Sequence, residues 1–199
     1  MYDQVLWFTT RGSGAVSLLM LTGSVCFGLV TVTRFGHAQW PRFLNLEMHR
    51  RVSLISIVFL VVHVLAAVFD PFAKLGFAAA IVPLASTYRP LPVALGVISM
   101  YLFIALIVTG LLRNRMPQPL WRTIHWSSYA MWPLAVLHSV LSGSDAGAPW
   151  MLVIDGICFT VVGACLVWRV GAADANRNRL EDVVLTSSWQ KPSKPRDER

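Results

Sequence analysis

Residues 45–70 read NLEMHRRVSLISIVFLVVHVLAAVFD, from Asn45 to Asp70, and this stretch decides the fold. Beyond the charged pair Arg50 and Arg51 it runs from Val52 to Phe69 without a formal charge. An uncharged apolar run of that kind is what crossing a hydrocarbon layer of about 30 Å requires of a helix. Two histidines interrupt it, His49 and His63, fourteen residues apart. Fourteen residues rise about 21 Å in an α-helix and bring the two side chains back to within roughly 40° of each other. They therefore share one face, with one imidazole near each side of the membrane.

A second stretch, PLWRTIHWSSYAMWPLAVLHSV from Pro119 to Val140, repeats the pattern with His125 and His138, thirteen residues apart. An ionisable side chain at membrane depth costs several kcal/mol unless it is paired or ligated, so two on each of two spans point to a site. Thirteen residues leave an ideal helix about 140° out of phase. Pro133 lies between the two histidines and is taken as the phase correction, since an intrahelical proline removes a hydrogen bond and permits a kink. One span separates the two segments, so both run in the same direction. His49 then meets His125 at one level and His63 meets His138 at the other. Each pair can supply both axial imidazoles of a low-spin haem, giving two haems stacked across the membrane.

The rest of the chain agrees with this frame. Of 199 residues 55% are hydrophobic and 14% charged, with a mean hydropathy of +0.58, which is too apolar for a soluble domain. The expected fold is an all-α integral membrane bundle of about five transmembrane helices. These are Ser13–Thr33, His49–Phe69, Leu91–Leu112, Ile124–Leu141 and Trp150–Val170, with turn residues such as Pro41, Pro71, Pro90 and Pro117 between them. Leu75–Ile81 is too short to cross and reads as an interfacial or re-entrant piece. Residues 1–171 form the haem-binding membrane domain, and 172–199, which mix both charge signs with Pro and Ser, read as a solvated, disordered cytoplasmic tail. No length remains for a fused flavin- or nucleotide-binding domain of ordinary size. Cys26, Cys158 and Cys165 sit in apolar runs without CxxC spacing and read as small core residues.

The net charge of +7 describes topology. Fourteen of the 17 basic residues fall in Arg34–Arg51, Arg113–Arg122 and Arg169–Arg199, against Arg11, Lys74 and Arg89 on the other side. By the positive-inside rule the N-terminus faces out and the tail faces the cytoplasm of a multi-pass plasma membrane protein, and a nucleic-acid partner is excluded. The N-terminus carries Asp3 and no basic residue before Arg11, unlike a cleavable signal peptide, so the first span is expected to be retained.

Other residues leave alternatives open. Arg50 and Arg51 stand where haem propionates of the inner cofactor would accept charge-assisted hydrogen bonds, or they are membrane-edge anchors. Phe59 and Trp132 lie between the two histidine levels, as fillers between macrocycles or as plain packing. Asp155 is a carboxylate at membrane depth, paired with Arg89 or Arg11, or engaged in proton or acceptor handling. His37 sits in a loop and is not counted as a ligand.

At these residues the sequence resembles the ferric reductase-like transmembrane family. That superfamily includes the NADPH oxidase core and the haem subunit of the bacterial periplasmic methionine sulfoxide reductase system. Segments 45–70 and 119–140 are similar to the family's paired haem-binding helices. LWFTTRGSGAVSLLMLTGSVCFGLVT, Leu6 to Thr31, resembles the first helix of small actinobacterial members. The resemblance covers roughly Leu6 to Val170, and the 14 and 13 histidine spacings match. It implies bis-histidine haem b on His49, His63, His125 and His138, and transmembrane electron transfer. Oxidase and eukaryotic ferric reductase members continue into a cytoplasmic FAD and NAD(P)H module, whereas this sequence stops at Arg199, so a separate flavoprotein or membrane quinol is the expected donor.

Three functions follow. The first is a haem subunit passing electrons to an extracytoplasmic redox partner. The second is a direct reductase of ferric iron or oxygen at the outer haem. The third is a metal or proton transporter, which the two separate histidine levels disfavour, since transporter sites gather at one depth.

Overall fold

The computed structural model describes residues 2–32, 41–71, 75–143 and 147–189. Seven α-helices occupy them: α1 Tyr2–Val32, α2 Arg42–Phe69, α3 Gly76–Ile81, α4 Pro90–Leu111, α5 Gln118–His125, α6 Ser128–Ser142 and α7 Pro149–Trp189, with a 3₁₀ turn at Arg113–Arg115. Among the described residues, four helices are long and apolar enough to cross a membrane: Gln4–Val32, Phe43–Phe69, Pro90–Leu111 and Pro149–Ala175.

The boundaries follow local chemistry. Extended Pro41 precedes α2, and α2 ends at Asp70, whose successor Pro71 disfavours helical backbone before it. α4 starts on Pro90, whose fixed φ suits the first helical turn. The short apolar patch expected at 75–81 forms the six-residue α3.

Two expectations need correction. The fourth spanning helix, placed at Ile124–Leu141, is divided at Trp126–Ser127 into two helices, α5 of 8 residues and α6 of 15. The phase correction is also not centred on Pro133, which α6 carries within its length. It lies at Trp126–Ser127, where the amides of Ser127, Tyr129 and Ala130 bond to the carbonyls of Ile124, Trp126 and Ser127, three residues back. Such tighter turns advance about 20° more per residue than an α-helix, which is the direction that a thirteen-residue spacing needs.

α7 differs from its expected end as well. It continues as helix past Val170 to Trp189, and no proline interrupts the sequence before Pro192.

The outer faces of the helices are apolar, unlike those of a soluble bundle. On α2, Leu54, Ile55, Val58, Val61, Val62 and Leu65 leave between 37% and 61% of their surface uncovered, a helical stripe suited to lipid. The buried positions include Ser13, Ser17, Thr22 and Ser24 on α1, Ser53 and Ser56 on α2 and Ser99 on α4. Small and hydroxyl side chains let apolar helices approach closely and bond across the gap. The Ser24 and Ser53 hydroxyls meet at 2.6 Å between α1 and α2, Ser99 donates to the Met131 carbonyl at 3.0 Å between α4 and α6, and the Trp132 indole donates to Thr22 at 3.0 Å between α6 and α1.

α1 and α2 form one antiparallel hairpin, and α4 with α5 and α6 forms another. α1 packs on α6 and α7, and the apolar core, including Leu18, Phe103, Val136 and Cys158, lies among α1, α4, α6 and α7. α2 packs on α1 and α3 and stands off from α5 and α6, which leaves a slot between the hairpins.

Candidate functional site

The slot is where the four histidines meet. His49 of α2 faces His125, the last residue of α5, and the two ring centroids are 6.2 Å apart. At the other level His63 of α2 faces His138 of α6 with centroids 6.3 Å apart. These are the juxtapositions expected of two segments that run in the same direction. Among the described residues no third His, Cys, Asp or Glu joins either pair to make a larger metal-binding group.

The donor set fits haem in three respects. With metal–nitrogen bonds of about 2.0–2.1 Å and a ring nitrogen roughly 1.1 Å from its centroid, two imidazoles on opposite sides of one iron stand about 6.3 Å apart, which both pairs match. The tautomers also fit. His49 Nδ1 lies 2.8 Å from the Ser24 carbonyl, His63 Nδ1 2.8 Å from that of Thr10 and His138 Nδ1 2.8 Å from that of Pro92. A carbonyl only accepts, so the proton sits on Nδ1 and the Nε2 lone pair is left for a metal. Such a bond also fixes the ring and raises its basicity as a ligand.

The third respect, shown at the His63 level, is room. A cavity of about 260 Å³ opens beside His63 and His138, lined mainly by apolar side chains of α1 to α4 and α6, with Arg11 and Tyr88 among its polar residues. Glycines let the imidazoles approach the neighbouring backbones. A Cβ on Gly14 would stand 2.9 Å from His63, one on Gly96 2.6 Å from His138 Nδ1, and one on Gly28 3.5 Å from His49.

His125 is seated differently. It stacks on Trp121 with centroids 4.8 Å apart, the Arg113 guanidinium covers Trp121 at 4.4 Å, and the buried Trp121 Nε1 and His125 Nδ1 have no hydrogen-bond partner.

A family model described as ferric reductase like transmembrane component matches residues 13–139. The chain belongs to this family. The match contains all four histidines of the slot, and a ferric reductase-like membership makes this a multi-pass membrane protein of transmembrane electron transfer. No curated protein and no solved structure matches the chain.

The remaining expected residues of this ferric reductase-like chain fall as follows. Arg50 and Arg51 are exposed at the His49 end of α2, and Arg51 bonds Glu47 at 2.6 Å. Trp132 is buried, holds Thr22 and meets Phe159 of α7 edge-on at 5.7 Å. Phe59 is half-buried. Asp155 is buried and accepts from Ser139 at 3.4 Å, while Arg89 donates to the Leu141 carbonyl at 2.6 Å and Arg11 lies over Trp7. His37 lies outside the described residues. The sequence reading missed the glycines, although Gly14 and Gly28 repeat the fourteen-residue interval of His49 and His63.

Proposed function

We propose that the chain holds one haem b between His63 and His138 and a second between His49 and His125, and serves as the membrane haem subunit of a reductase system. The observation that carries this reading is the opposition of imidazoles at 6.2 and 6.3 Å at two levels of one slot. Haem bound there supplies one-electron redox chemistry. The chain's own residues do the rest. At each level the two imidazoles would hold the haem iron between them, an arrangement that would favour electron transfer to a partner over reaction at the iron. The Ser24, Thr10 and Pro92 carbonyls orient three of the rings. The cavity at the His63 level offers a mainly apolar lining to the macrocycle.

The arginine-rich end, with Arg50, Arg51, Arg113, Arg115 and Arg122, faces the cytoplasm of the plasma membrane, and the N-terminus faces out. Electrons enter from a separate flavoprotein or membrane quinol and leave to an extracytoplasmic redox partner protein.

The test is a pyridine haemochrome assay followed by stopped-flow reoxidation. Two haems per chain are expected, with fast reoxidation by the partner and slow reoxidation by free ferric chelate. A folded, haem-free protein overturns the reading, and fast reoxidation by ferric chelate or oxygen alone replaces it with direct reduction at the outer haem.

A further inference from the structure

Three of the four histidines are seated in one manner. Each donates Nδ1–H to a carbonyl, and in each case a glycine stands four residues further along the same helix: Thr10 with Gly14, Ser24 with Gly28, Pro92 with Gly96. That spacing has a physical reason. In an α-helix the carbonyl of one residue accepts from the amide four residues on, and its second lone pair stays open. A residue without a Cβ at the amide lets an imidazole approach that lone pair. At Gly14 and Gly96 the approach requires it, since a Cβ there would stand 2.9 and 2.6 Å from the ring, whereas at Gly28 it would make an ordinary contact at 3.5 Å.

The fourth histidine has no such bond. His125 Nδ1 is buried without a partner. Yet α4 repeats the interval of α1: Gly110 follows Gly96 by fourteen residues, as Gly28 follows Gly14. Leu106 stands four residues before Gly110, its carbonyl 3.3 Å from the Thr109 hydroxyl, whose shorter bond goes to the Ala105 carbonyl at 2.6 Å. Because α4 packs antiparallel to α5 and α6, moving from Gly96 to Gly110 corresponds to moving back from His138 to the neighbourhood of His125. A Cβ on Gly110 would meet nothing within 4 Å.

We propose that Gly110 and the Leu106 carbonyl form the fourth seat, on which His125 donates Nδ1–H when haem is bound at the His49 level. This rests on the haem reading above. The two-turn α5 carries His125 at its last residue and is separated from α6 by the turn at Trp126–Ser127, so it can shift along α4 while His138 stays on Pro92. Gly110 and Leu106 act as positioning residues, since they reach the iron only through His125.

The experiment compares full-length wild type with Gly110→Ala, Gly96→Ala and Gly156→Ala, the last lying in open space on α7. The readouts are haem content and the midpoint potential of each haem. Gly110→Ala is expected to weaken haem at the His49 level by about 10-fold or more, in the range typical of lost ligand-orienting bonds, while keeping the other haem. Gly96→Ala should do the reverse, and Gly156→Ala should keep both. Two haems with unchanged potentials in Gly110→Ala overturn this inference and leave the haem reading standing, whereas a haem-free wild type overturns both. If Gly110→Ala loses both haems, pulsed EPR of the wild type decides through the quadrupole coupling of the remote ligand nitrogens. Four hydrogen-bonded Nδ1 atoms are expected, and one free Nδ1 overturns the proposal.

Discussion

The rings of His63 and His138 are turned 82° from each other. His49 and His125 repeat the relation at 76°. When two axial imidazole planes are nearly perpendicular, their π interactions fall on different iron d orbitals and leave those orbitals close in energy. The oxidised protein is therefore expected to give strongly anisotropic low-spin EPR signals, with a largest g value above that of bis-imidazole haem with parallel planes. A spectrum of the parallel type at the His63 and His138 level would contradict the seating of those two rings on the Thr10 and Pro92 carbonyls.

Ligand pairing has its own test. His63→Ala and His138→Ala should each remove the same haem, and His49→Ala and His125→Ala the other, because one lost axial ligand opens a coordination position. Redox titration with optical detection assigns the loss. Different haems lost from the two members of one pair would contradict the pairing.

The glycine seats should not be equally sensitive. Gly14→Ala puts a Cβ 2.9 Å from His63, whereas Gly28→Ala places one 3.5 Å from His49, an ordinary contact. Gly14→Ala is expected to cost about 1–3 kcal/mol of overpacking at its level, and Gly28→Ala to leave haem content near wild type. Haemochrome assay of both variants measures the difference.

Trp132→Phe removes the bond to Thr22 and keeps most of the ring volume. A loss of about 1 kcal/mol is expected, read as a fall of a few degrees in Tm, with both haems retained. Altered haem spectra in this variant would instead favour a place for Trp132 between the macrocycles.

Much of this arrangement was legible in the sequence, for reasons that differ by residue. The spacing of His49 and His63 is a whole number of near-turns on an unbroken helix, so their shared face followed from helix geometry alone. His125 and His138 were paired correctly in register, but the device that brings them into phase was not, because proline is the visible irregularity in that stretch and the turn at Trp126–Ser127 has no strong sequence marker. The glycines were passed over for another reason. Their role depends on what packs against them from another helix, which the fourteen-residue interval of Gly14 and Gly28 does not by itself reveal.

The junction at Trp126–Ser127 also bears on how the chain tolerates changes in length. α2 holds both of its histidines on one unbroken rod, so a single residue inserted between His49 and His63 turns one imidazole by about 100° away from the slot. Between His125 and His138 the backbone already contains a tighter turn with bonds to carbonyls three residues back. One residue gained or lost there is expected to be taken up locally by that turn, with α6 keeping its face. The two arms of the slot thus differ in how much drift they absorb: the first is a fixed ruler, and the second carries its own adjustment.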